Sequence, residues 1–500
     1  MSCVPSVSRL VRCGPCSESR KSASTRSLIW NPTVKMKRRI LCLTLLSLLQ
    51  FVLVHFLLIQ RFPNSGDEQS YLFQAKLFSN GQLCVEDSLY DRAHPLNKYI
   101  EADAINDIGG RRFSKYPPGW PALLLLGVKL RTEWLAGPLL GALTVFLLLS
   151  YTKKRIGHEY VGTTWWLLTL CPFFFLSVAS FGSHTSTMAF LFGAFYLYDD
   201  ALARPPGRYH LRLFAAGLLL GYSALIRYID WIPLLGWIAL DLLRQKKIKG
   251  VASLVLGFAL LSSFHLLYNK LLTGGAMITP ADLYAKGGLH DHLVASWAGF
   301  KVTAVRLGRL VYVFPPAALL ALWVVKSWHS GRLKVLMTLF ALNVGVYFFY
   351  VGSVGGPGPR YLFPYFPFLI LAVVEVARLT RGGLLGRRAW AFVGCSQIVC
   401  GLAYAAVQTH EIYERMDLER TVATIHAARK IILLQTGTYK MELRDLIRNP
   451  PDLWSADTLY FAYGDGVGIA NLLKRFPEHS VYIYRYPGSL TAWSGWERAD

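Results

Sequence analysis

Two adjacent carboxylates, Asp67 and Glu68, stand in the stretch RFPNSGDEQSYLFQAKLF, a few residues after a long apolar run. A carboxylate that stays ionised at a membrane surface can accept a proton from a hydroxyl group, so Asp67 is a candidate general base. Ser65 followed three residues later by Glu68 also fits a capping box, which predicts a helix that starts near Gly66. Acids are common in the first turn of a helix because the helix dipole favours them there, so the pair alone is weak evidence for catalysis.

A second candidate group lies further along the chain, in FSKYPPGWPALLLLG at residues 113–127. Its two prolines can open a helix that lies in the membrane interface with a tryptophan as anchor, which is the purely structural interpretation. The functional interpretation is that Lys115, held beside Asp67, neutralises an anionic leaving group such as phosphate. The neighbouring Tyr116 is a further candidate for the substrate site.

A second cation, Arg360, stands in GGPGPRYLFPYFPFL at the mouth of a predicted span. An arginine at a helix end can simply extend its side chain to the membrane surface, but an external position runs against the usual inside bias of basic residues. Since arginine also binds phosphate through two parallel hydrogen bonds, a phosphate-binding role is favoured. Tyr361 follows it directly and is included among the substrate-site candidates.

Three weaker candidates remain. Arg227 and Asp230 in IRYID either pair with each other or bind substrate, and the sequence leaves these alternatives open. His184 in SFGSHTSTMAF starts a predicted span from the outside, where a lone histidine is usually only hydrogen-bonded. The HDH cluster at residues 290–292 has metal-ligand chemistry, but such close ligands rarely share one ion, which favours a solvated loop.

The composition indicates a chain that lies in a lipid bilayer. Of its 500 residues, 53% are hydrophobic, 14% aromatic and only 17% charged, and about 20 mostly apolar residues suffice for one spanning helix. The sequence predicts an all-α polytopic membrane protein with about eleven transmembrane helices. The predicted spans are 39–60, 134–152, 160–178, 185–202, 212–229, 231–243, 250–268, 309–325, 335–352, 361–377 and 389–407.

The net charge of +23 is concentrated in short loops, which argues against nucleic acid as a partner. Basic residues without any acidic one occupy 153–155, 204–212, 244–249, 326–334 and 378–388, after every second predicted span. By the positive-inside rule these loops and the amino terminus are cytoplasmic and the carboxyl terminus is external. The expected location is the plasma (inner) membrane, with the candidate site on the external, periplasmic side.

Three regions are expected along the chain. Residues 1–35, rich in serine and arginine, are interpreted as a disordered extension or as sequence before the true start. Residues 36–407 form the transmembrane module, whose first external loop at 61–133 is long enough to indicate a function. Residues 408–500 form an external tail in which the stretch 420–434 is helix-like and DTLYFAY and SVYIYRY are strand-like, which predicts a small α/β region.

Several segments together resemble the GT-C superfamily of polyprenyl-phosphate-dependent glycosyltransferases. In chain order they are GDEQSYLFQAKLFSNGQL, KYPPGWPALLLLG, GLLLGYSALIRYIDWIPLL, YNKLLTGG and GPRYLFPYFPFLIL, spread over residues 66–371. The relatives that they resemble are the bacterial glycosyltransferases like the rhizobial galacturonosyltransferases, the aminoarabinose transferases of lipid A and the protein O-mannosyltransferases. The resemblance covers most of the membrane part and says little about residues 408–500.

The resemblance implies a GT-C-like membrane fold that transfers a hexosyl or pentosyl group, with inversion, from a polyprenyl-phosphate or diphosphate donor to a hydroxyl group. In this chain Asp67 matches the catalytic base and Glu68 completes the acidic pair, while Lys115 and Arg360 match the phosphate-binding cations. Many members carry an acid where this chain has His184, which puts any role copied onto that position in doubt. The acceptor is a glycolipid, a polysaccharide or a protein. No cofactor is certain, and the sequence leaves open whether Glu68 binds a divalent cation or the acceptor.

The main alternative is a transporter or flippase of a lipid-linked or envelope component. Such a protein places ionisable residues near the middle of the membrane on broken helices. Here the predicted spans are nearly free of charge and the charges lie in loops, which favours an enzyme at the membrane surface. A purely structural scaffold is a third alternative, but it leaves the long loop and the turn around Arg360 unexplained.

Overall fold

The computed structural model describes residues 32–284, 297–350, 358–380, 384–436, 443–464, 466–486 and 489–492. Its helices are α1 Pro32–Val54, α2 Gly66–Ser79, α3 Gly119–Leu130, α4 Ala136–Tyr151, α5 Val161–Thr169, α6 Pro172–Ala179, α7 His184–Ala201, α8 Pro206–Ile226, α9 Ile232–Arg244, α10 Ile248–Thr273, α11 Pro280–Tyr284, α12 Trp297–Val313, α13 Pro316–Ser327, α14 Gly331–Phe348, α15 Phe366–Thr380, α16 Leu384–Ala423 and α17 Gly466–Leu473. Its strands are β1 Val85–Glu86, β2 Ile105–Ile108, β3 Arg111–Ser114, β4 Lys430–Thr436, β5 Thr458–Ala462, β6 Ser480–Tyr486 and β7 Ser489–Ala492.

Long apolar helices dominate the fold. Within the described residues, 6 helical segments are long and apolar enough to cross a membrane, namely Val34–Ile59, Glu133–Ile156, Pro206–Ile226, Ile248–Thr273, Gly331–Phe348 and Arg360–Thr380. The pair His158–Thr169 and Pro172–Ala179, bent by 68°, adds one more if it is a single broken span. Each of these segments coincides with a predicted span, which confirms a polytopic membrane fold built from helices.

The remaining predicted spans fall on helices that do not meet the same criterion of length and apolarity. Three of them correspond to α7, α9 and part of α16. The span predicted at 309–325 is divided, because α12 ends at Val313 and α13 begins at Pro316. The consecutive prolines Pro315 and Pro316 explain the break, since proline lacks an N–H and is excluded from helix interiors.

Helix α2, which carries the two adjacent acids, begins at Gly66 as the capping pattern predicts. The Ser65 hydroxyl oxygen accepts a hydrogen bond from the Glu68 N–H at 3.3 Å. The Glu68 carboxylate accepts from the Asn64 N–H at 2.8 Å, one residue earlier than in a standard capping box. Position 66 has no room for a side chain, because a Cβ there would lie 2.3 Å from Oδ2 of Asp103.

The loop at residues 61–133 also contains a sheet that the sequence analysis missed. Its strand order is β1-β3-β2 and both pairs are antiparallel, with Asp107 opposite Arg112. These two side chains are buried and form a bidentate ion pair, with Nε to Oδ1 and Nη2 to Oδ2 both 2.6 Å. The Arg112 guanidinium also lies 4.4 Å from the Tyr90 ring centre. The pair fixes the loop between α2 and α3.

The carboxyl-terminal region forms the predicted small α/β unit. Its sheet has the order β5-β4-β6-β7, in which β4 is parallel to β5 and β6 and β7 is antiparallel to β6. The helix predicted over 420–434 is wrong beyond Ala423, since α16 ends there and Lys430–Thr436 is strand β4. Ile431–Leu434 is buried throughout, and an unbroken apolar run is typical of a central parallel strand.

The carboxyl-terminal region packs directly on the loop at residues 61–133. Two hydrophobic clusters contain residues from both, with α2 contributing to one and the segment around Tyr99 to the other. Polar contacts add to this packing: the Gln69 amide donates to the Asp445 carbonyl at 2.8 Å, and Arg444 pairs with Glu101 at 3.0 Å. The position of α2, and therefore of its acids, depends on this region as well as on the membrane helices.

Candidate active site

Asp67 lies at the centre of the candidate site, between the two cations proposed from the sequence. Its Oδ2 is 3.0 Å from Nη1 of Arg360, and its Oδ1 is 3.6 Å from Nζ of Lys115. The Tyr116 hydroxyl donates a hydrogen bond to the same carboxylate. Arg360 is 293 residues away in sequence, so the fold assembles this cluster from distant segments.

The electrostatics keep Asp67 ionised. Burial by itself would raise the pKa of Asp67, but Lys115, Arg360 and the Tyr116 hydroxyl outweigh it and lower the pKa to about 2. Its side chain retains 21% exposure, so it is reachable from outside. Asp67 is therefore an ionised hydrogen-bond acceptor whose charge is already balanced by two cations.

Lys115 is positioned by the loop sheet and by α11. It follows β3 directly, and its N–H donates to the Ala104 carbonyl at 3.1 Å. Its ammonium lies 4.4 Å from the ring centre of Tyr284 and 5.2 Å from that of Tyr116. The two aromatic faces restrict the lysine side chain and direct its charge towards Asp67.

Arg360 is positioned by the turn that precedes α15. Gly358 has a positive φ of 60°, and a Cβ there would lie 2.8 Å from the Phe173 ring, so only glycine fits. The chain then makes a short 3₁₀ turn over Arg360–Tyr365. The Nε of Arg360 is buried and has no hydrogen-bond acceptor in the described part of the chain. The arginine therefore keeps one unused donor at the site.

Glu68 occupies a different environment from its neighbour. It accepts from the Asn64 and Phe181 N–H groups and from the Ser180 hydroxyl. Burial raises the pKa of Glu68 to about 7, although the hydrogen bonds from these three donors by themselves would lower the pKa. Glu68 thus connects α2 to the segment before α7, and the two adjacent carboxylates have pKa values on opposite sides of the ordinary range.

His184 is the first residue of α7 and lines the same cavity as Asp67, Glu68 and Arg360. Its Nε2 is buried without a hydrogen-bond partner among the described residues. Its ring centre lies 6.3 Å from that of Tyr361. The structure therefore brings His184 next to the acidic pair, at the position where the resemblance leads one to expect an acid.

Arg227 makes an ion pair with Asp230, which is one of the two alternatives that the sequence left open. It also donates to the hydroxyl of Tyr347 at 3.2 Å, and that hydroxyl donates to Asp230 at 2.6 Å. The Arg227 guanidinium lies 5.7 Å from the ring centre of Tyr361. Arg227 therefore supports the aromatic residues beside Arg360.

The sequence analysis missed several polar residues at the site. The Tyr71 hydroxyl lies 2.9 Å from the Ser183 hydroxyl oxygen, which connects α2 to the residue before His184. Its spacing from Asp67, four residues along a helix, was an available signal, since such residues share a face. Tyr347 and Ser180 had no such signal because their proximity arises only from helix packing.

The cavity beside Asp67 is bounded on another side by the carboxyl-terminal half of α16, and it also reaches the end of the first apolar helix. The residues contributed by these two elements are Ile59, Tyr404, Gln408 and Ile412. Among the described residues, no three His, Cys, Asp or Glu side chains are grouped as a metal site requires. The HDH cluster at residues 290–292 lies outside the described residues.

A solved structure supplies the comparison for this arrangement. The crystal structure of ArnT from Cupriavidus metallidurans bound to undecaprenyl phosphate aligns with 92% of this chain and 94% of its own, with a TM-score of 0.57 and 14% sequence identity. The chain has the same fold as ArnT. The resemblance expected from the sequence is thus confirmed for the fold.

The structure of ArnT in the apo state aligns with 90% of this chain and 92% of its own, with a TM-score of 0.48 and 13% identity. No protein-family model matches the sequence, and no curated protein matches it significantly. The likeness to ArnT is therefore one of fold, and the activity of this chain has to be argued from its own residues.

Proposed function

We propose that this chain is an integral-membrane glycosyltransferase that moves a sugar from a polyprenyl-phosphate or diphosphate donor to an acceptor hydroxyl group at the outer face. The observation that carries the proposal is the position of Asp67 between Lys115 and Arg360, in a cavity at the end of apolar helices. The ArnT structure of the same fold is bound to undecaprenyl phosphate, which supports a lipid phosphate as the carrier of the sugar.

In the proposed complex, the donor phosphate binds to Lys115 and Arg360. Both cations have only Asp67 as a carboxylate partner among the described residues, so a phosphate can share them without leaving another buried acid unpaired. The free Nε of Arg360 supplies an additional donor for a phosphate oxygen. The leaving group is then neutralised where its charge develops, which is the main requirement of such a transfer.

Asp67 acts as the base in this proposal. The acceptor hydroxyl gives its proton to the Asp67 carboxylate while its oxygen forms a bond to C1 of the sugar. The bond between C1 and the phosphate oxygen breaks, and its electron pair leaves with the polyprenyl phosphate. Because the attack is opposite to the leaving group, the configuration at C1 inverts.

The acceptor is proposed to contact the carboxyl-terminal region, residues 408–500. This region adjoins the site, since α16 contributes to the cavity wall and Asp445 is close enough to Asp67 for their charges to interact. The region shares hydrophobic clusters with the first external loop, so deleting it would disturb α2. Exchanging its exposed residues while keeping the buried ones is the suitable test, and unchanged acceptor choice would contradict this part of the proposal.

The central experiment compares cells that contain the intact protein, lack it, or carry Asp67→Asn or Asp91→Asn at equal membrane abundance. Asp91 does not line the Asp67 cavity and lies outside residues 408–500, so its variant controls for the same chemical change. Mass spectrometry of envelope glycolipids, polysaccharides and glycoproteins is expected to show one sugar-sized mass increment that disappears without the protein. Loss of a general base lowers turnover by about 10²- to 10⁴-fold, so the increment should also fall in Asp67→Asn cells.

The outcomes distinguish the proposal from its main rival. A transporter or flippase would change the envelope when the protein is absent but would have no need of a base at Asp67. If Asp67→Asn and Asp91→Asn cells both keep the increment at the wild-type level, the base assignment is refuted. If no sugar increment changes in any strain, the glycosyltransferase proposal itself fails.

A further inference from the structure

A second cavity lies at the opposite end of the first apolar helix from Asp67. Its walls are apolar and come from three helices: Ile40 and Leu41 from α1, Phe146 from α4 and Tyr196 from α7. Leu41 is 52% exposed and Phe146 40% exposed, so the groove opens towards the surroundings of the helices. A groove with such walls accommodates a hydrocarbon chain.

Three lysines surround the same groove, Lys37, Lys153 and Lys154. Lys154 is paired with Asp200 at 2.7 Å and with Asp199 at 3.7 Å. Lys37 and Lys153 form no ion pair within the described residues. The groove therefore combines apolar walls with two cations whose charge is not balanced.

The nearby carboxylates are already occupied by other cations. Asp199 also binds Arg155 at 2.8 Å, and Asp200 also binds Arg204 at 3.2 Å and Arg212 at 2.7 Å. Both oxygens of Asp200 are paired and Oδ2 of Asp199 is shared by two cations, and within the described residues neither acid forms an ion pair with Lys37 or Lys153. An anion from outside the chain is therefore the natural partner for these two lysines.

The position of the groove indicates where this anion comes from. Lys37 lies 22 residues before Ile59, which lines the Asp67 cavity, and a helix of that length measures about 33 Å. This length matches the hydrocarbon core of a bilayer, about 30 Å. The lysines are thus at headgroup level on the side away from Asp67, with the apolar walls next to the acyl chains.

We propose that this groove binds an anionic phospholipid from the leaflet opposite to Asp67. Lys37 and Lys153 contact the headgroup, and one acyl chain lies along Ile40, Leu41 and Phe146. A zwitterionic lipid fits less well because its headgroup amine is repelled by the two lysines, whereas an anionic headgroup keeps a net negative charge. The bound lipid joins α1 to α4, and so stabilises the helix that leads to the active-site cavity.

The test uses the full-length protein in mild detergent and measures its binding of phosphatidylglycerol and phosphatidylcholine with identical acyl chains by native mass spectrometry. The test variant is Lys37→Gln with Lys153→Gln. The control is Lys246→Gln with Lys249→Gln, which removes two exposed lysines, one from the α9–α10 connection and one from the first turn of α10, on the same predicted face. A third variant, Lys37→Arg with Lys153→Arg, keeps both charges.

The wild type, the control and the arginine variant are expected to prefer phosphatidylglycerol. The glutamine variant at positions 37 and 153 is expected to bind phosphatidylglycerol roughly twenty-five-fold more weakly, about fivefold for each lysine, with little change for phosphatidylcholine. Equal wild-type affinity for the two lipids would overturn the proposal. An equal loss in the Lys246 and Lys249 variant would also overturn it, because the attraction would then be a general property of the basic surface. The active-site proposal is unaffected by either result.

Discussion

Glu68 is the residue at which the structure makes its sharpest quantitative prediction. The residue is 7% exposed, and burial raises the pKa of its carboxyl group from 4.5 to about 7. The folded protein therefore binds a proton at Glu68 in a pH range where the unfolded chain has released it. We expect Glu68→Gln, which is neutral at every pH and close in shape, to remove this proton linkage.

The sign and size of this pH dependence follow from the folded and unfolded pKa values of Glu68. Because the folded state holds the proton more tightly, the free energy of unfolding is highest below the unfolded pKa of 4.5 and falls as the pH rises to about 7. A difference of one pKa unit corresponds to about 1.4 kcal/mol, so the contribution of Glu68 amounts to about 3 kcal/mol. Above pH 7 the ionised Glu68 costs the wild type this full amount relative to an acid with an ordinary pKa.

The assay is unfolding in mixed detergent and dodecyl sulfate micelles at pH values from 4.5 to 8, followed by tryptophan fluorescence. Other groups titrate in this range, including Asp445, whose pKa burial raises to about 6, so the informative quantity is the difference between variants. The control is Glu86→Gln, which changes a 75% exposed side chain. From pH 4.5 to pH 8, the free energy of unfolding of the wild type and of this control should fall by about 3 kcal/mol more than that of Glu68→Gln. Parallel pH curves for wild type and Glu68→Gln would refute the reasoning.

Three further predictions concern the parts that position the site. Lys115→Met and Arg360→Met are each expected to weaken undecaprenyl phosphate binding by roughly a hundredfold. The control Lys76→Met, at an exposed lysine, should leave this binding unchanged. Equal binding by all three variants would contradict the phosphate-site proposal. Asp107→Asn leaves the buried Arg112 without its charge partner and should lower the free energy of unfolding by about 3–5 kcal/mol, against little change for Asp91→Asn in the same unfolding assay. Gly358→Ala forces a Cβ against the Phe173 ring at a positive φ. This change should lower the free energy of unfolding by about 1–3 kcal/mol and reduce undecaprenyl phosphate binding. Gly207→Ala, where the added Cβ meets open space, should do neither.

The sequence predicts the elements better than it predicts their partners. Long apolar runs give the membrane helices because burial in lipid leaves the helix as the only way to satisfy their backbone. The pattern around Ser65 gives the start of α2, since capping is a local interaction. Strands β1 to β3 have 2 to 4 residues each, too few for an alternating pattern. The helix predicted over strand β4 is wrong because a fully buried apolar run has no periodicity that distinguishes strand from helix.

The same distinction holds at the site. The sequence analysis places Lys115 beside Asp67 because both lie in the same loop, and it picks out Arg360 from its residue type and its position at the mouth of a predicted span. The approach of Arg360 to Asp67 depends on helix packing, which a single sequence does not show. The opposite pKa shifts of Asp67 and Glu68 also could not be predicted. Neighbouring residues on a helix face different directions, and only the packed structure decides which carboxylate contacts cations and which contacts an apolar wall.

The cations around Asp67 connect donor binding to the strength of the proposed base. With its charge balanced by Lys115 and Arg360, Asp67 has a pKa of about 2 and holds a proton only weakly, so it is a poor base before a donor arrives. A donor phosphate bound to the same two cations takes up part of their charge and adds a negative group nearby. Both effects raise the pKa of the carboxylate, because burial then acts on it with less opposition. In this mechanism Asp67 becomes an effective base only when the leaving group is already in position. An acceptor that enters without a donor meets a carboxylate with little tendency to take its proton.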